Sequence, residues 1–209
     1  MKIAVLGGTG SFGRALASRL VAVGDDEVVI GSRDTERAQE TARELGGNSS
    51  GGTNEDAVRG ADLVVLAVKA DGALETARAV AAALGTTPLL SVASAISVRK
   101  GVGAFPDPDG KSIAERIQDI VDAPVVAGLH SIAAASLDSA PPDEDALICG
   151  DDEHAKELAL TLAAKLVAGR ALDAGPLASA RALEGLTAVI VNLNRRYKAH
   201  AGIRISGLE

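Results

Sequence analysis

The chain has 209 residues, 47% of them hydrophobic but only 1% aromatic, with a formal net charge of −7. That is enough chain for one aliphatic core, and the acidic balance argues against nucleic acid or an anionic membrane as partner. A single cysteine, Cys149, excludes a disulfide framework and a thiolate metal cluster.

Residues 3–6 form a short apolar run, the mark of a strand buried on both faces. It begins too early to leave room for a signal peptide, and no apolar run reaches transmembrane length, so the expected location is the cytoplasm. The strand enters Gly8-x-Gly10-x-x-Gly13 and an amphipathic helix over 14–23. In this setting Gly8 serves a tight turn, Gly10 admits a pyrophosphate to the backbone, and Gly13 lets helix and strand pack closely. Free N–H groups at the helix start, with the macrodipole behind them, make an anion seat. The alternative is a glycine-rich turn with no ligand.

A second strand over 28–31 leads to Ser32 and Arg33, with Asp34 placed to cap a helix over 35–45 that carries Arg37. The tip of this strand is where an adenosine ribose sits. An acid there suits a 2′-hydroxyl and arginine a 2′-phosphate, so the reading is NADP rather than NAD. Otherwise the two arginines are solvated charges beside a helix start. Residues 46–53 (GGNSSGGT) read as a flexible loop, 54–59 as a brief helix and 62–68 as a third strand. The end of that strand, Val68-Lys69-Ala70, should lie beside the cofactor. A helix over 71–84 and a strand over 88–92 complete the alternation, which indicates an α/β fold: a doubly wound, Rossmann-like, mostly parallel sheet.

Over 93–111 the pattern loosens into a surface loop with the basic pair Arg99-Lys100, either a substrate-facing lid or a plain connector. Ser112 caps a helix over 113–122, and a strand over 124–129 delivers His130, Ser131 and Ile132 to the same sheet edge. His130 is the one ionisable candidate placed where chemistry occurs, a hydrogen-bond partner for bound rings or a satisfied histidine at a strand end. It does not stand out as an obligatory catalytic group. The three histidines are too scattered for a metal, and no nucleophile–base set is visible. After a strand over 146–149, Asp151 and Asp152 read as caps of a helix over 153–167. A short strand, 170–173, precedes the last helix, to about residue 198, whose apolar residues Leu183, Leu186, Val189, Ile190 and Leu193 suit core or dimer interface. A terminal strand is expected over 202–205. The expected organisation is one NADP-binding domain, 1–209, with a C-terminal helix–strand extension from about residue 170.

The opening GGTGSFG, the strand-end GSR, GLHSI, CGDD, LDAGPL with SARALEGLT, and the closing VNLNRRYKAHAGIRIS together resemble NADPH-dependent reductases of the deazaflavin coenzyme F420. The resemblance runs end to end and is most specific over NRRYKAHAG, 194–202, which looks like actinobacterial-type members. It implies a dimer and direct hydride transfer between NADP(H) and F420. On that match Thr9, Gly10, Ser11 and Phe12 would hold the pyrophosphate, and Ser32, Arg33 and Arg37 the 2′-phosphate. His130, Ser131, Ile132 and Ala133 would contact the rings, His130 as a donor toward the deazaflavin. Lys69-Ala70 stands where members often carry a bulky pair, and Ala133 where proline is common, so the deazaflavin pocket departs from the family pattern. The polyanionic F420 tail would meet Arg195, Arg196 and Lys198, within 192–205, a segment that also holds Arg204 and no acid. The competing role for those cations is to complement the helix dipole.

Overall fold

Strand β1 (Lys2–Leu6) has no polar face. Its side chains alternate, Ile3 and Val5 entering one core while Ala4 and Leu6 enter another, so both sides of the sheet must be covered. The computed structural model, which describes residues 1–106, 110–137 and 140–208, has helices on both. Following β1 come α1 (Ser11–Val23), β2 (Glu27–Ser32), α2 (Thr35–Leu45), β3 (Ser49–Thr53), α3 (Asn54–Val58), β4 (Leu63–Leu66), α4 (Ala70–Leu84) and β5 (Leu89–Ser91). The hairpin β6 (Ile96–Arg99) and β7 (Gly103–Pro106) is followed by α5 (Ile113–Gln118), β8 (Val125–Gly128), α6 (Ala134–Leu137), β9 (Ala146–Gly150), α7 (Glu153–Leu166), β10 (Ala171–Asp173) and α8 (Ala180–Tyr197).

The main sheet has the order β10-β9-β8-β5-β4-β1-β2-β3. Every pairing is parallel except β8 with β9, where Val126 faces Gly150 in an antiparallel register. Helices α1, α2 and α7 cover the Ile3/Val5 face; α3, α4 and α5, with the start of α8, cover the Ala4/Leu6 face. The expected mostly parallel, Rossmann-like α/β sheet is therefore present.

Three local readings change. Residues 46–53 are not a loop throughout: Ser49–Thr53 forms the edge strand β3, in parallel register with Val28–Ser32. Its glycines serve close packing rather than flexibility, since a Cβ on Gly51 would be driven into the Ala38 carbonyl of α2. Residues 93–111 contain an antiparallel hairpin, Ile96 opposite Pro106 and Arg99 opposite Gly103; positions 107–109 lie outside the described residues. The helix–strand extension is present as β10 and α8, but 202–205 makes no ladder. That segment is held by side-chain and backbone bonds instead: Asp145 N–H donates to Ile203 O at 2.8 Å, and Ile205 N–H donates to the Asp145 carboxylate at 2.8 Å.

The apolar face of α8 is split. Leu183 and Ile190 are buried, whereas Val189 and Leu193 are exposed. Asn192 joins the helix to the hairpin by accepting from Ala104 N–H at 2.7 Å and donating to Ala104 O at 2.8 Å.

Candidate active site

On either side of β1 the sheet order runs in opposite directions, and the strand carboxyl ends there open a cleft of about 1280 Å³. Its base is the turn between β1 and α1. The residue that needs a left-handed conformation is Gly7, with φ of 78°. Gly8 is needed for space: a Cβ there would come within 2.9 Å of both the Val5 carbonyl and Ile30. A Cβ on Gly13 would lie 2.5 Å from the Gly7 carbonyl, so Gly8 and Gly13 shape the turn from beneath while Thr9, Gly10, Ser11 and Phe12 line the cleft. Helix α1 has Gly10 at its N-cap, with no side-chain cap and no acid in its first turn, so its leading N–H groups remain open to an anion. Its neighbour α2 is closed by Asp34, which accepts from Arg37 N–H at 3.1 Å.

Ser32, Arg33 and Arg37 lie together at one end of the cleft. Ser32 Oγ accepts from Asp34 N–H at 3.1 Å, which sets the bend after β2. Both guanidinium groups are exposed and neither takes part in an ion pair among the described residues. Arg37 reaches over the glycine turn to donate to Thr9 O at 3.3 Å. Val68, Lys69 and Ala70 line the next stretch of wall.

At the other end, Leu129 takes a left-handed φ of 64°, a strained setting for a branched residue, and His130 follows it. His130 Nε2 lies 3.3 Å from Ala93 O. A carbonyl only accepts, so Nε2 carries the hydrogen, and Nδ1, buried without a partner, is an acceptor. Burial pushes the imidazole pKa down to about 4, so the ring is neutral near pH 7. The expected donor role of His130 is thereby corrected, because its hydrogen is already engaged by Ala93.

Ile132 lines the cleft with His130, whereas Ser131 is buried to one side and neither it nor Ala133 reaches the lining. Arg195, Arg196 and Lys198 do not line the cleft; they are exposed at the far end of α8. Arg204 is not free, its Nη1 lying 2.5 Å from Asp143.

Sequence reading missed Asn54, Asp71, Glu75, Ser94, Ile96 and Thr187, all of which line the cleft. Thr187 Oγ1 donates to His130 O at 3.0 Å and accepts from Ser94 Oγ at 2.7 Å, fastening α8 to the ends of β5 and β8. Its signal was a lone hydroxyl within an otherwise apolar helix stripe. Asn54 carried none, because its place depends on β3.

A switch-point cleft with an open helix N-terminus, a turn that tolerates only glycine, and two unpaired guanidinium groups past β2 defines an NADP-type dinucleotide-binding protein. The family described as "NADP oxidoreductase coenzyme F420-dependent" matches residues 2–95. The F420-dependent NADP reductase of Methanocaldococcus jannaschii is 35% identical over 226 aligned residues, covering 100% of both chains. That of Methanothermobacter thermautotrophicus is 37% identical over 223, covering 100% of this chain and 96% of its own. A crystal structure of an Arthrobacter sp. FB24 protein given the same family name superposes with a TM-score of 0.86 at 28% identity, covering 99% of this chain and 100% of that one. The chain belongs to the F420-dependent NADP reductase family.

Proposed function

We propose that this protein transfers a hydride between NADP(H) and coenzyme F420, acting as a cytoplasmic homodimer of single NADP-binding domains. The observation that carries the reading is full-length identity of 35–37% with F420-dependent NADP reductases. The cleft supports it. Thr9 to Phe12, with the open N-terminus of α1, suit the pyrophosphate, and a backbone without a Cβ atom at Gly10 allows the close approach. Arg33 and Arg37, with Ser32, suit the 2′-phosphate, for which a planar guanidinium offers paired donors.

When bound, the nicotinamide and deazaflavin rings supply the hydride donor and acceptor carbons. The protein has to hold them face to face in near-attack geometry and exclude water. Val68, Ala70, Ile96, Leu129 and Ile132 provide an aliphatic wall for this. The neutral His130, fixed by Ala93 and by Thr187 on its own carbonyl, acts by position. No proton-transfer residue is needed for the hydride step itself.

The test is direct. Purified protein mixed with NADPH and oxidised F420 should bleach the visible absorbance of the deazaflavin, and omission of either NADPH or protein should prevent it. Oxidation of NADPH by free flavin with no reaction of F420 would overturn the assignment. So would tight NADP binding without turnover of any acceptor.

A further inference from the structure

Two basic segments that lie nearly a hundred residues apart are carried by elements that both leave the cleft and pack against each other. The hairpin leaves the cleft wall at Ile96, and α8 leaves it at Thr187. Strand β7 then runs antiparallel to α8: Pro106 packs on Gly185, with its ring 3.4 Å from where a Cβ would stand, and Ala104 is bonded to Asn192 through both its N–H and its carbonyl. Between these two anchor points the strand advances about 7 Å and the helix about 10 Å, so the two elements run side by side. Continued by one turn, this packing brings the hairpin turn opposite the last turn of α8. The hairpin turn bears Arg99 and Lys100, and the helix end bears Arg195, Arg196 and Lys198.

All five cations are exposed, and none forms an ion pair among the described residues. Arg99 is partly ordered, its guanidinium 6.0 Å from the centre of the Phe105 ring. Several exposed cations elsewhere are matched, Lys111 with Asp119, Arg181 with Glu115 and Arg14 with Glu44, whereas these five, like Arg33 and Arg37 in the cleft, have no such partner among the described residues. Unmatched positive charge gathered from two elements, in a chain of net charge −7, calls for an anion from outside the chain.

We propose that the hairpin turn and the end of α8 together form a two-sided seat for the anionic tail of the deazaflavin coenzyme, with phosphodiester and glutamyl carboxylates as its ligands. This rests on the reading of the cleft as an F420 site. The reach is suitable. From Ile96 to Arg99 is about 10 Å of strand, and from Thr187 to Arg195 about 12 Å of helix, the span of a flexible tail leaving a ring held in the cleft. The seat also answers an electrostatic difficulty: a polyanion approaching an acidic protein is repelled unless a local cationic patch steers it, and that steering decays over about 8 Å at physiological ionic strength. The hairpin thus acquires a function that an isolated surface loop lacked.

The experiment compares wild type, R99Q/K100Q, R195Q/R196Q and the combined variant, with full-length F420 and with the tail-less deazaflavin headgroup. Each pair should raise KM for full-length F420 at least threefold and the combination at least tenfold, and the dependence of kcat/KM on salt should flatten. KM for the headgroup should stay within twofold throughout. An unchanged KM for F420 in the hairpin pair would overturn the two-sided seat, and an unchanged KM in both pairs would leave the α8 cations as dipole partners only. Equal losses with F420 and headgroup would also overturn it. If wild type reduces neither acceptor, the functional reading fails, and fluorescence titration decides the seat separately. Tighter binding of F420 than of headgroup, lost in the combined variant, supports it; equal binding of the two by wild type refutes it.

Discussion

Burial decides what His130 is able to do. Its pKa of about 4 lies below the usual histidine value of 6.5, so protonation opposes folding. Between these values the unfolded chain binds more protons than the folded one, and stability rises with pH. The contribution is complete above pH 6.5 and is lost as pH falls toward 4, by about 3 kcal/mol in all. His130→Gln should therefore flatten the pH dependence of the denaturation midpoint over that window; an unchanged slope would mean the ring titrates normally. Turnover should fall in this variant without vanishing, since the residue positions rather than transfers a proton. The guanidinium pair is a second residue-scale case. Each charge-assisted hydrogen bond to a phosphate is worth about 1.5–3 kcal/mol, so replacing Arg33 and Arg37 by alanine should lower kcat/KM for NADPH at least tenfold and leave NADH nearly unaffected. Equal losses with both cofactors would remove the 2′-phosphate from the account.

At the scale of elements, β3 shows how glycine makes an ordered strand out of a sequence that reads as flexible. Gly51 faces the backbone of α2, and only a residue without Cβ lets the helix sit that close. Gly52, one position along, points the other way, with its nearest neighbour, Asp56 Cβ, at 3.6 Å from a built Cβ. Overpacking costs about 1–3 kcal/mol. Gly51→Ala should lose stability of that order, and Gly52→Ala should lose almost none. Chemical denaturation separates the two, and equal effects would contradict the packing. The consequence reaches the site, because β3 ends at Thr53, which caps α3, and α3 begins at Asn54, which lines the cleft.

For the whole molecule, three connections tie the C-terminal helix to the His130 end of the cleft and its surroundings. Thr187 binds the His130 carbonyl, Asn192 binds the hairpin, and the Glu184 carboxylate accepts from Ile113 and Ala114 N–H at the start of α5, at 3.0 and 3.2 Å. The helix is therefore part of the site rather than an appendage. The proposed assembly is a homodimer, and sedimentation should return twice the chain mass; a monomer at micromolar concentration would refute it.

The amino-acid order alone determined the pattern of local signals. Apolar runs without alternation required a sheet covered on both faces. The glycine spacing marked the turn at the base of the cleft, and Arg33 with Arg37 marked the positive charge beside it, because each of these is written within a few residues and obeys short-range sterics or charge. Only the tertiary structure decided the rest. The His130 proton is assigned by Ala93, 37 residues away, Thr187 reaches the cleft through the docking of α8, and β3 becomes a strand only because β2 offers it an edge. The hairpin meets α8 through Ala104 and Asn192, 88 residues apart. Such contacts depend on which surfaces meet after folding, and no periodicity in the chain encodes that.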